Sequence, residues 1–219
     1  MRRTPLRYLL GGSAATLAVL TTTSACGGGS STVVTAPTRA PLSHRSSAPT
    51  PNTIPSQAPV PAESNPPGDI PDNLAFVSYR NKPGAYQFSH PEGWAQRGHG
   101  VSVTFTDKLN GVSATVVASS RPPTVASARR ADVPRLRRTV PAFELRSVSS
   151  ISLPAGRAIL IVFRRNSNPD PVTGRQYRDE VREYLVWRGG RDVRFDLFGP
   201  VGADNVDAYR TMSESLRLS

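Results

Sequence analysis

Cysteine occurs once in the 219 residues, at Cys26, so neither a disulfide framework nor a thiolate metal cluster can form within one chain. Lysine is nearly missing too: Lys82 and Lys108 are the only two, and every other basic residue is arginine. Such a skew fits genome composition better than selection for nucleic-acid contact, and no nucleic acid is expected as a partner. Long apolar runs are also lacking. The stretch from Tyr8 to Leu20, about 13 residues, falls short of the roughly 20 that span a bilayer as a helix. Phosphate loops, dinucleotide fingerprints and the G-x-S-x-G nucleophile elbow are absent, which removes the common signatures of nucleotide-dependent enzymes and α/β hydrolases.

What is present begins at the N-terminus. Arg2, Arg3 and Arg7 precede that apolar stretch, and Thr23-Ser24-Ala25-Cys26 follows it, the three-part pattern of an export signal over residues 1–25. The last four residues resemble a bacterial lipobox, whose cysteine is acylated and becomes the new N-terminus. The lipobox prefers leucine where Thr23 stands. A plain signal peptide cut near Ala25 is the alternative. Arg2-Arg3 invites a twin-arginine reading, against which Pro5 occupies a position that signal wants apolar. The lipobox resemblance implies a lipid anchor of two or three acyl chains on Cys26, palmitate among them. It places the chain on the extracytoplasmic face of the cell membrane. One acyl chain binds membranes only marginally, with K on the order of 10⁴ M⁻¹, whereas two or more hold stably.

From Cys26 to Pro71 the chain has ten prolines among Ser, Thr, Ala and Gly and little to bury, so it reads as a disordered linker. Fully extended it would reach about 140 Å, and as a coil about 40 Å. Such a Ser/Thr/Pro tract is either a bare spacer or a carrier of O-linked sugar. The formal charge of +11 includes Arg2, Arg3 and Arg7; without them it is +8. Arg39 and Arg45 cancel Glu63 and Asp69, so residues 72–219 carry all of it. Outside a membrane a basic surface meets anionic lipid heads or acidic envelope polymers.

Residues 72–219 are patterned as one domain, beginning near Leu74. Tyr86-Gln87-Phe88 alternates as a strand, His90-Pro91-Glu92-Gly93 has type I turn chemistry, and Trp94 is expected in the core. Val101, Val103 and Phe105 alternate with polar residues, and Asn110-Gly111 predicts a type I′ turn into a partner strand over 112–118. Val125, Ala128, Leu136 and Val140 fall at helical spacing, with a break at Pro134 and Asp132 near a cap. Residues 143–153 read as a strand. Ala158 to Phe163, six apolar residues in a row, predict a strand covered on both faces, and 166–178 an exposed loop. Gly189-Gly190 predicts a two-residue primed turn that pairs Val186 with Val193 and Tyr184 with Phe195, with Trp187 opposite Asp192 and Leu185 opposite Arg194 on the other face. A last helix is expected with Asp204 as its cap and Val206, Tyr209, Met212 and Leu216 as its apolar stripe.

The order strands, helix, strands, helix implies an α+β domain with a mainly antiparallel sheet. Phe88-Ser89-His90-Pro91-Glu92-Gly93-Trp94 and the final helix with Ser213-Glu214-Ser215-Leu216 resemble the PsbP-like α-β-α sandwich family, which includes actinobacterial lipoproteins of the LpqN and LpqT kind. The resemblance spans most of residues 74–218. It implies a non-catalytic binding or assembly protein of the cell envelope rather than an enzyme.

No constellation of catalytic residues contradicts that. His90 and His99 with Glu92 are a conceivable metal set, but three ligands would have to converge and exposed loop histidines are far commoner, so neither metal nor cofactor is expected. Ser89-His90 is not a triad, and Glu180 and Glu183 face opposite ways on a strand. The candidate binding feature is the cluster Arg129, Arg130, Arg135, Arg137 and Arg138, either a solvated helix face or a contact surface for anionic lipid, glycolipid or an envelope protein. A carrier that holds an acyl chain between sheet and helix is the alternative function, and a hydrolase a lesser one.

Overall fold

The computed structural model describes residues 57–62 and 68–219. Cys26, the expected export signal and most of the expected linker lie outside the described residues.

The described chain runs as β1 (Phe76–Asn81), β2 (Tyr86–Pro91), β3 (Ala95–Arg97), β4 (Ser102–Asp107) and β5 (Asn110–Ala118). A helical stretch follows: α1 (Val125–Ser127), a π-helical turn (Ala128–Asp132) and α2 (Val133–Thr139). Then come β6 (Glu144–Leu153), β7 (Gly156–Asn166), β8 (Arg178–Arg188), β9 (Arg191–Pro200), α3 (Val206–Ser215) and the short β10 (Arg217–Leu218). All pairings are antiparallel. Seven strands form one sheet in the order β3-β4-β5-β9-β8-β7-β6, and β1-β2-β10 form a second. The fold is α+β.

Alternation along the long strands sends successive side chains to opposite faces of the large sheet. Tyr184, Val186, Val193, Phe195 and Leu197 enter one core with Phe88, Tyr209, Met212 and Leu216, so the small sheet and α3 cover that face. Val181, Leu185, Ile159, Ile161 and Phe163 enter a second core with Ala128, Val133 and Leu136, so α1 and α2 cover the other. The apolar run of β7 is thus split. Ala158 and Leu160 turn to the first core and Ile159, Ile161 and Phe163 to the second.

The β8–β9 hairpin has the expected register, Tyr184 opposite Phe195 and Val186 opposite Val193. Both turn glycines have positive φ, 57° at Gly189 and 86° at Gly190, as a type I′ turn requires.

The β4–β5 turn differs from expectation. It is made by Lys108 and Leu109, with Asp107 opposite Asn110, and Lys108 takes the positive φ. Asn110 and Gly111 are the first residues of β5 instead. Asn110 is buried, donating to the Gly68 carbonyl at 2.6 Å and accepting from Asn205 at 2.9 Å. Gly111 lies under the Phe198 ring, which a Cβ would strike. Contacts distant in sequence therefore displace the local turn preference by two residues.

Other expectations shift for similar reasons. Val101 is exposed ahead of β4, and His90 is a buried member of β2 rather than a turn residue. Asn166 and Arg178, the two ends of the expected loop, are buried strand residues. Asp204 does not cap α3: Asn205 precedes the helix, its amide is given to Ile70, Gly68 and Asn110, and Val206 is exposed. Ile70 is buried in the first core, so the last residues of the expected linker belong to the fold.

Candidate functional site

Pro134 has no N–H to give to the carbonyl of Arg130, so the regular helical ladder cannot run through it. The chain does not break there. A π-helical turn precedes it, closed by the Val133 N–H on the Ala128 carbonyl, five residues back. Seven residues make nearly two turns of α-helix, and the π turn absorbs one residue more. Positions eight apart thereby come to one side, Arg129 with Arg137 and Arg130 with Arg138. All four are exposed, and none has an ion-pair partner among the described residues.

Arg135 leaves this set. Its guanidinium turns inward and donates to Glu183 Oε1 at 2.9 Å. Sequence spacing alone does not separate it from its neighbours, because the acceptor lies 48 residues away on β8. Beneath the helix Arg194 Nη1 donates to Glu183 Oε1 at 2.8 Å and Arg194 Nη2 to Asp132 Oδ1 at 2.7 Å. Asp132, expected near a cap, makes no cap bond; its carboxylate is committed to this lattice. Burial works against the Arg194 charge, but Asp132 and Glu183 outweigh it and hold its pKa above the ordinary arginine value.

The lattice continues across the sheet. Asp196 faces Glu183 on β8 and Ser113 on β5 in register, and Ser113 Oγ lies 3.4 Å from Asp196 Oδ2. Burial first, then the Glu183 carboxylate beside it, push Asp196 up to about 7. Nearby Asp179 is pushed by burial to about 6, although Arg165 opposes the shift. Two shifted carboxylates suggest acid–base chemistry. Here, however, both lie among structural arginines: Arg165 reaches Asp179 Oδ2 at 3.4 Å while resting over the Phe198 ring. This cluster pins the helix to the sheet.

His90 stacks on Phe105 with ring centroids 3.7 Å apart, and its Nδ1 lies 2.9 Å from the Pro91 carbonyl. Burial lowers its pKa, so it is a neutral aromatic core residue. Among the described residues no group of three or more His, Cys, Asp or Glu side chains is placed to hold a metal ion.

These features define an α+β domain of three layers with a charged lattice under one helix and unpaired arginines outside it. No family model matches the chain, and no curated protein matches it. Solved structures do. Cyanobacterial PsbP (CyanoP) of Synechocystis is 16% identical, with a TM-score of 0.46 over 71% of this chain and 100% of that one. The Ran-binding protein Mog1p of Saccharomyces cerevisiae is 8% identical, with a TM-score of 0.45 over 67% of this chain and 96% of that one. A protein of Bacteroides thetaiotaomicron is 11% identical, with a TM-score of 0.43 over 65% of this chain, which spans 48% of that protein's length. The α+β class itself rests on this chain's own strands and helices.

Proposed function

We propose that the chain is a lipoprotein held by acylated Cys26 on the extracytoplasmic face of the cell membrane, and that its domain is a non-catalytic binding module. Its docking surface is the outward helix face of Arg129, Arg130, Arg137 and Arg138, and its partner is the anionic headgroup layer of a membrane. One observation supports this above others: four arginines aligned by a π turn, exposed and without acidic partners among the described residues. Each basic side chain near such a surface contributes about 1 kcal/mol, so four supply about 4 kcal/mol, nearly a thousandfold in partitioning. The linker gives the domain reach to find that surface. The carrier alternative needs room for an acyl chain between sheet and α3, but Phe195, Met212 and Leu216 fill that space, each fully buried.

The test uses the processed chain without acylation and vesicles of phosphatidylglycerol or phosphatidylcholine. Sedimentation with the anionic vesicles at low salt is expected, lost as salt is raised because screening shortens to about 8 Å at physiological ionic strength. A variant with all four arginines changed to glutamine stays in the supernatant. Failure of the parent chain to sediment at low salt removes the docking surface. Mass spectrometry of the membrane-extracted protein tests the anchor separately: acyl chains on Cys26 are expected, and an unmodified chain beginning after a cut near Ala25 refutes it.

A further inference from the structure

A pocket of about 250 Å³ opens on the other face of the large sheet, where β7, β8 and β9 meet the start of α3. Arg164, Glu180, Arg182, Gly199, Asn205 and Tyr209 are among its walls. Arg164 on β7 is directly opposite Glu180 on β8, and Arg182 follows on the same face two residues later. Both arginines therefore reach the pocket from rigid strands rather than loops. Gly199 leaves room for its neighbours: a Cβ there would collide with the Asn110 side chain and come within 2.8 Å of the Tyr209 hydroxyl.

Glu180 satisfies neither guanidinium group, although Arg182 also reaches the Tyr184 hydroxyl. Glu180 lies 3.8 Å from Arg164 Nε and 3.9 Å from Arg182 Nε, beyond hydrogen-bond distance in both cases. Arg164 Nε is buried and has no hydrogen-bond partner. Two guanidinium charges against one carboxylate leave the pocket with a positive excess. The N-terminus of α3 adds to it, since Asn205 spends its side chain on Ile70, Gly68 and Asn110 and caps none of the helix's first N–H groups. Arg182 rests over the Tyr209 ring at 5.4 Å, and burial raises the Tyr209 pKa, so the phenol keeps its proton and can donate.

We propose that this pocket binds one phosphate-type oxyanion, held between the Arg164 and Arg182 guanidinium groups with the Tyr209 hydroxyl and the start of α3 as further donors. Donors arriving from strands, helix start and ring suit a tetrahedral group with oxygens on several sides. Planar carboxylate is already supplied by Glu180, which satisfies neither arginine. The volume lies below the roughly 300 Å³ at which drug-sized ligand sites begin, so it accepts a single group and not a lipid. The site is separate from the outward helix face and stands or falls independently of it.

The experiment titrates the full chain in detergent with inorganic phosphate and, separately, with glycerol 3-phosphate, following side-chain N–H resonances of Arg164 and Arg182 by NMR. Saturable shifts at both residues are expected. Arg182→Lys keeps the charge but loses the planar fork, and it should weaken binding about tenfold, the size of one charge-assisted hydrogen bond. Glu180→Gln should tighten binding, a gain that misfolding cannot imitate. Tighter binding of glycerol 3-phosphate identifies a headgroup phosphate as the source, and preference for inorganic phosphate identifies the free ion; either result upholds the site. Absence of saturable binding for both ligands overturns it, as does equal affinity in the parent, Arg182→Lys and Glu180→Gln chains.

Discussion

The two faces of the seven-stranded sheet are covered by different means. On one, Phe88, Phe195, Tyr184, Met212 and Leu216 form an aromatic and aliphatic core, with Phe88 and Phe195 edge to face at 5.0 Å. On the other, a smaller apolar core is continued by a lattice of Asp132, Arg135, Glu183, Arg194 and Asp196. Apolar burial is non-directional and tolerates repacking, whereas charges taken out of water are stable only with their partners in place. The first face therefore supplies most of the stability. The second fixes one position of the helix, and thereby the direction in which its outer arginines point.

The largest effect that separates the faces comes from Phe195→Ala. The ring is fully buried, and its loss should cost about 3 to 5 kcal/mol in denaturant unfolding. A loss near 1 kcal/mol would mean that the core collapses around the gap.

Arg194→Met comes next. Its side chain is 19% exposed, which softens the cost of breaking a buried pair to about 2 to 3 kcal/mol. Changing Glu183 to Met as well leaves Asp132 and Arg135 to neutralise one another, so the double variant should be more stable than Arg194→Met alone. Greater instability of the double variant would show that Glu183 is held by more than its arginines.

Asp196→Asn is the one change expected to stabilise, and its size depends on pH. The folded carboxyl titrates at about 7, against an ordinary value of about 4, so between these pH values the folded chain holds a proton that the unfolded chain has released. Stability is then full below about pH 4 and falls as pH rises toward 7. Asn cannot ionise. The variant should melt above the parent at pH 8 and level with it below pH 4. Equal melting temperatures at both pH values would show that burial of Asp196 carries no ionisation penalty.

Much of this was legible locally. Gly189-Gly190 specifies its own hairpin, because a primed turn and the alternation beside it are settled within twenty residues. The helix over 125–139 was readable from Val125, Ala128 and Leu136, and the break suggested by Pro134 proved to be a π turn, since packing of Val133 and Leu136 on the sheet keeps the helix continuous. By contrast, nothing beside Asn110-Gly111 signals that Asn110 is claimed by Gly68 and Asn205, or that Gly111 must clear Phe198. β1 went unread because its Val77 and Arg80 do not form a clean alternation, and its pairing with β2 comes from the fold.

The amino-acid sequence alone determined the α+β class, the coarse succession of strands, helix, strands and helix, and the central hairpin, all products of short-range periodicity and turn chemistry. It also holds the lipobox-like Thr23-Ser24-Ala25-Cys26 and the proline-rich segment that follows it, whose reading needs no fold. Tertiary structure alone decided which arginines are free and which are bound. Arg135 and Arg138 look alike along the chain; one meets Glu183 across 48 residues and the other meets solvent. The pocket beside α3 is of the same kind, because Arg164, Arg182 and Tyr209 come together only when β7, β8 and the last helix are packed. Coulombic and hydrogen-bond partners act through space, so their assignment waits on the packing that brings them within reach.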